Sequence, residues 1–430
     1  MHQLTTDSQK WGISKRFRTL FAVYFLFLML DFTSSDELYP HWVYVTMQFY
    51  TNFWHWIVPW TGQHILHLSY PITVRPNGSG DTTYNYVLQL LWLVFAVVIA
   101  LIWTLADRKR PSYKQFSYCA KIALRYFLAY MLFVYGFVKV IKLQFPFPNL
   151  GRLMEPYGES SPMGLAWTFI GYSSGYNIFI GGAEVLAGVL LFFKRTTLMG
   201  SLLAMIVIGN VVAMNFAYDI PVKIFSLNLL FIAIWIAWYD KDRLISFFLL
   251  NKDVGAIPAR QVVSGWKRGV QLSLKTLIIL FALYSTLWTN LKMAKTYGDT
   301  APKPPLYGVY DVEKFIRKGQ EVPPLTTDQS RWKRMIINYP GYVEIKRMTD
   351  SVDGMRLRID VKGKSMIFTD VQNSTELFKL KYQEIDKDHL LLRGLVANDS
   401  IGIYMKRFDL NKLPLINRGF HWINEYPYNQ

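Results

Sequence analysis

The feature that most restricts this chain is a series of long, nearly uncharged apolar blocks. They occupy residues 17–31, 87–106, 123–141, 177–193, 197–217, 223–239 and 271–290. A helix needs about 20 mainly apolar residues to cross the hydrocarbon of a bilayer, so the blocks predict seven membrane spans. The first is expected to be a retained helix rather than a signal peptide, because no small-residue cleavage site follows it. Only Lys194-Arg195-Thr196 separates the fourth block from the fifth, which predicts a tight helical hairpin. Composition agrees: charged residues make up 18% of the 430, against about 25% in ordinary soluble domains. The expected fold is an α-helical transmembrane bundle of about seven helices followed by a small antiparallel all-β domain. Disorder, a collagen-like fibre and a disulfide-rich scaffold are excluded, the last because Cys119 is the single cysteine.

A formal charge of +17 would suggest nucleic acid in a soluble protein. Here the distribution among loops decides. With the N-terminus in the cytoplasm, 19 of the 24 basic residues before position 291 fall on the inner side, as the positive-inside rule requires. The basic excess is then a topological signal and implies a bilayer rather than nucleic acid as partner. Seven crossings would put the remainder of the chain outside, and an even number, one more or one fewer, would return it to the cytoplasm.

That remainder changes character. After the Pro-rich stretch 300–305, within an expected linker over 291–305, short runs alternate apolar and polar residues: 332–339, 342–347, 355–361, 376–382, 390–396 and 401–407. Pro340-Gly341, Asp353-Gly354, Lys362-Gly363 and Asn398-Asp399 are read as turns between them. Such spacing predicts a sandwich or barrel over 306–430. The closing aromatic stretch 418–427 is expected to cap that domain or lie on the membrane surface.

On the outer side, residues 41–70 hold Trp42, Trp54, Trp56 and Trp60 and four histidines, His41, His55, His64 and His67. The pattern favours an interfacial or re-entrant helix. His64 and His67 would share a helix face, but no neighbouring carboxylate completes a metal site. The following Gly78-Ser79-Gly80-Asp81-Thr82 stretch has two readings: a loop whose Asp81 or Thr82 caps a helix, or a polar lip over a membrane pocket.

Glu184 is the one acid expected well inside a span, about 10 Å from its outer end at 1.5 Å per residue. An ionisable group at that depth faces the bundle interior and marks function by default. Lys139, Lys142, Asn210, Asn215, Asp219 and Lys223 fall in the same outer half. Two readings stand for them: structural pairing, with Asp219 and Lys223 as an i,i+4 ion pair, and a genuine pocket. In the second, Glu184 exchanges protons with a ligand or donates a hydrogen bond, Lys142 is its electrostatic partner, Asn210 and Asn215 orient the ligand, and Lys139, Asp219, Lys223 and Asp81 complete the site.

Three motifs carry a family resemblance: Tyr135-Gly136-Phe137-Val138-Lys139, Gly181-Gly182-Ala183-Glu184-Val185-Leu186-Ala187-Gly188 and Met214-Asn215-Phe216-Ala217-Tyr218-Asp219-Ile220-Pro221-Val222-Lys223. Residues 120–240 resemble the DoxX/DoxD family of bacterial membrane proteins. The whole resembles a longer DoxX-like group ending in Arg-Gly-Phe-His-Trp-Ile-Asn-Glu-Tyr-Pro, as at 418–427. The resemblance implies a four-helix core and the bacterial inner membrane, with a periplasmic β-domain. It also implies association with a membrane redox system, since DoxD is a subunit of a thiosulfate:quinone oxidoreductase. Quinone is the cofactor or ligand so implied, and a redox partner subunit would supply the electron-carrying centres. Related four-helix proteins include non-catalytic assembly factors, so a scaffold binding a periplasmic protein through the β-domain is the alternative, and enzyme status stays open.

Overall fold

In the computed structural model, residues 10–30, 41–75, 77–255 and 265–429 are described, with 41–47 described in their backbone only. They group into two units, one of residues up to 144 with 174–294, the other of 145–173 with 295 onwards.

The first unit is helical: α1 (Ile13–Leu28), α2 (His41–His64), α3 (Thr83–Ala106), α4 (Lys114–Val140), α7 (Ser174–Phe192), α8 (Thr197–Ala217), α9 (Lys223–Trp238), α10 (Lys241–Phe248), α11 (Trp266–Leu283) and α12 (Thr289–Tyr297). The labels α5 (Leu150–Leu153) and α6 (Pro162–Tyr172) belong to the second unit. Among the described residues five helical stretches are long and apolar enough to cross a membrane: α3, α4, α7, α8 with the turn before it, and α11 through α12. A sixth is reached if α9 and α10, bent by 78°, count as one broken span. About seven were expected, and the described residues supply five or six. At 16 residues, α1 reaches only about 24 Å, short of a hydrocarbon core of about 30 Å. The first block's expected end at residue 31 lies outside the described residues.

The hairpin at 194–196 forms as expected, with a single 3-10 turn between α7 and α8. Helix α4 is the hub. Its Leu124, Leu128, Ala129 and Leu132 are buried with Ala187 and Leu191 of α7, Ala204 of α8 and Ile232 of α9 in one apolar core. The last helix continues through a π-helical turn, Tyr284–Trp288, to Tyr297, into the stretch read from sequence as linker.

The second unit is built on an antiparallel barrel: β1 (Gly308–Arg317), β2 (Gln320–Glu321), β3 (Trp332–Ile337), β4 (Tyr342–Arg347), β5 (Val352–Asp360), β6 (Ser365–Thr369), β7 (Glu376–Glu384), β8 (His389–Val396) and β9 (Asp399–Arg407). Eight of these strands, all but the short β2, form a closed meander in which β1 pairs back onto β9, Val312 opposite Met405. Alternate side chains point inward, and Phe315, Met335, Val343, Ile345, Met366, Phe368, Leu392 and Ile403 fill the interior. The turn at Ala397 and Asn398, both with positive φ, is the kind that closes a two-residue hairpin. Asp353-Gly354 is not a turn: Gly354 lies within β5 opposite Glu344, leaving room for the Tyr342 hydroxyl. Leu150 of α5 packs on Val309 and Ile336 of the barrel wall, and its backbone N–H donates to Asn338 Oδ1 at 3.1 Å. The aromatic tail does not cap the barrel. Trp422 is 91% exposed, and Phe420, Ile423 and Tyr426 are exposed beside it.

Candidate functional site

Glu184 lies mid-way along α7 and is buried, as its position in an apolar block requires. Its partner is Lys139, not Lys142. Lys139 Nζ stands 2.7 Å from both carboxylate oxygens, and the two residues are 5% and 3% exposed. Lys139 also sits 5.6 Å from the Tyr135 ring centroid. The choice between the lysines is set by where α4 ends. Lys139 is in the last turn of α4 and faces α7, whereas Lys142 lies beyond Val140 with a φ of 64°.

The other expected polar residues divide among structural tasks. Asp81 caps α9 rather than its own following helix: its carboxylate accepts from Lys223 N at 2.8 Å and Ile224 N at 3.0 Å. Its neighbour Thr82 caps α3 in a capping box with Asn85. Lys223 Nζ pairs with Asp219 at 2.9 Å and stands 3.8 Å from Asp81. Asn215 is buried and donates to Ser226 Oγ at 3.0 Å, tying α8 to α9. Asn210 is exposed on α8. His64 ends α2, and His67 follows in the left-handed region, so the two do not share a helix face. Among the described residues no group of three His, Cys, Asp or Glu is placed to hold a metal; the side chains of His41 and Trp42 lie outside the described residues.

Replacing Asp81 with alanine leaves the first N–H groups of α9 without their acceptor. We expect a loss of about 1–2 kcal/mol, read as a lower unfolding midpoint of the purified protein, with Asp81→Asn retaining most of the stability.

What these contacts brace is a cavity of about 980 Å³ that none of the eight expected site residues lines. Its walls come from α1 (Tyr24, Phe27), α2 (Tyr50, Trp54, His55), α3 (Tyr84, Gln89, Trp92), α4 (Tyr130, Tyr135, Val138) and α9 (Ile224, Phe225, Asn228). Gly80, Val222, Gln144 and Asn290 of α12 also line it. Three lining residues directly precede an expected one: Gly80 before Asp81, Val222 before Lys223 and Val138 before Lys139. The lining is mainly aromatic and aliphatic, with few polar groups. Gln89 and Asn228 form a reciprocal amide pair at 3.2 and 3.3 Å across α3 and α9. Three buried polar atoms of the lining residues, Trp54 Nε1, Trp92 Nε1 and Gln144 Oε1, have no hydrogen-bond partner among the described residues. An unpaired buried donor costs about 1–3 kcal/mol, and such groups call for a ligand or water to complete them. The sequence carried signals for this site: Trp54 and His55 in the aromatic stretch 41–70, Gly80 in the stretch read as a loop or a lip over a pocket, and an amide, Gln89, inside the most apolar of the candidate spans.

A relative, the "Uncharacterized protein YwoB" of Bacillus subtilis (strain 168), is 37% identical over 126 residues, which is 29% of this chain and 79% of that protein. No protein-family model and no solved structure matches the chain, so the likeness to DoxX rests on the three motifs quoted above.

Proposed function

We propose that this chain, which belongs to the family of YwoB, is a membrane protein that binds a lipid-soluble small molecule of the quinone class in the cavity enclosed by α1–α4 and α9. The observation that carries this reading is the pairing of an apolar, aromatic lining with two indole N–H groups lacking acceptors. An indole N–H only donates, so the fitting ligand is a flat apolar body bearing carbonyl oxygens. Apolar pockets with a few convergent polar groups are where small ligands bind. The Lys139–Glu184 pair is one residue removed from Val138 in the cavity wall. In this reading it holds α4 in place, and no redox centre is assigned to the chain itself.

The test is extraction of lipids from protein purified in mild detergent, followed by mass spectrometry. Wild type should retain an isoprenoid quinone, and Trp54→Phe, which deletes one donor while keeping an aromatic ring, should retain about tenfold less. Equal quinone in both proteins, or none in wild type, would sink the proposal.

A second reading, a scaffold that captures a protein through the barrel unit, is favoured by the exposed apolar side chains of Phe420, Trp422, Ile423 and Tyr426, since exposed apolar clusters mark interaction surfaces. A crosslinked complex that survives Trp54→Phe but is lost on deleting residues 418–430 would support it over the first.

A further inference from the structure

A second cavity, of about 1180 Å³, lies among α4, α8, α10 and the turn joining α7 to α8. Six cations line it, Lys121, Arg125, Lys194, Arg195, Arg243 and Lys252, against two acids, Asp240 and Asp253. Asp240 is shared by Lys121 at 3.5 Å and Arg243 at 3.6 Å, so it does not neutralise the rest. Arg125 is the key group. It is 8% exposed, and Nη1 donates to Thr197 Oγ1 at 3.1 Å. Its Nε has no hydrogen-bond partner among the described residues, and neither has Arg243 Nε. A guanidinium held out of water with an open donor is matched to a phosphate or carboxylate oxygen.

The other wall of the same cavity is apolar. It is formed by Leu202 and Ile206 of α8 and by Phe247 and Phe248 of α10. The bend of 78° turns α10 off the α9 axis, and both phenylalanines are exposed on it. Basic residues beside an apolar wall at the end of a helical bundle suit an amphiphile whose charged head meets the cations while its chains continue along the helices. A free phosphate would use the first wall and leave the second without purpose. We propose that this cavity seats the headgroup of an anionic phospholipid, with Arg125 as the buried phosphate ligand.

Native mass spectrometry of the full chain in detergent tests it, with phosphatidylglycerol, phosphatidylcholine and inorganic phosphate as probes. Phosphatidylglycerol should bind about tenfold more tightly than phosphatidylcholine, and Arg125→Gln should lose about tenfold of that affinity. The exposed pair Lys194→Gln with Arg195→Gln should lose a few-fold while leaving the fold intact, and decides the matter if Arg125→Gln does not fold. Equal binding of both lipids, or phosphatidylglycerol binding unchanged in the variants, would overturn the proposal. Displacement of the lipid by millimolar inorganic phosphate would also overturn it, by assigning the cavity to a soluble anion.

Discussion

Glu184→Ala should cost this protein about 3–5 kcal/mol of stability, because it strands the Lys139 ammonium in the bundle with no counter-charge. The geometry makes the expectation specific. Lys139 Nζ donates to both oxygens at 2.7 Å, and both side chains are almost wholly withdrawn from solvent. In the mutant, the charged amine keeps only the neighbouring Tyr135 ring face, and a cation–π contact offers about 2 kcal/mol when desolvated. Lys139→Met should cost a similar amount by stranding the carboxylate instead. The double variant, Lys139→Met with Glu184→Leu, should recover most of the loss, since buried ion pairs replaced by apolar residues of like volume are often neutral or better. Unfolding of the four proteins in one detergent gives the coupling energy directly. If the single losses simply add, the pair does not act as a unit and Glu184 is not held by Lys139. The same set separates structure from ligand binding: the double variant should fold and still retain the cavity ligand, because neither residue lines the cavity.

The helical unit was legible wherever the apolar block was long, since a stretch of 20 apolar residues has few alternatives to a membrane helix. The block at 223–239 gave α9 to within a residue, whereas the first block, 17–31, sits a few residues C-terminal of α1, Ile13–Leu28, because the charged first turn of that helix hides its start from an apolar count. The barrel strands from β3 onward followed their alternation, apart from β6. Closure did not, because the β1–β9 pairing joins Val312 to Met405 across nearly the whole unit, and no local pattern encodes so distant a partner. At the candidate site, Glu184 stood out as an acid in an apolar block. Its partner depended on where α4 stops, a boundary that sequence places only to within a turn. The cavity was hidden for another reason. Five helices separated by up to about 200 residues each contribute ordinary aromatics to it, and an aromatic in an apolar span looks like core until its neighbours are known.

Gly181→Leu should be at least as damaging as the loss of Glu184, and the adjacent Gly182→Leu should be nearly silent. Helices α4 and α7 meet through Gly136 and Gly181. A Cβ at Gly181 would stand 2.6 Å from Gly136 O, 2.9 Å from Val140 N and 2.8 Å from Lys139 Cβ. Two of those atoms are backbone, which cannot rotate aside, so a side chain there must drive the helices apart. Small residues at such a crossing supply close van der Waals contact in place of a hydrophobic driving force. Separation here also pulls Lys139 from Glu184, because the lysine's own Cβ is among the atoms displaced. The cost therefore combines overpacking, about 1–3 kcal/mol, with rupture of the ion pair, about 3–5 kcal/mol, and folded protein should be largely lost from the membrane. Gly182 meets nothing within 4 Å. A leucine there adds helix propensity worth up to about 1 kcal/mol over glycine, and its side chain leaves the α4–α7 contact unchanged. Yield and unfolding midpoint of the two variants, compared side by side, measure the contact itself, since the mutations are the same in chemistry and one residue apart. Equal behaviour of the two would mean that the glycine pair reflects backbone permissiveness and not the approach of α4 to α7.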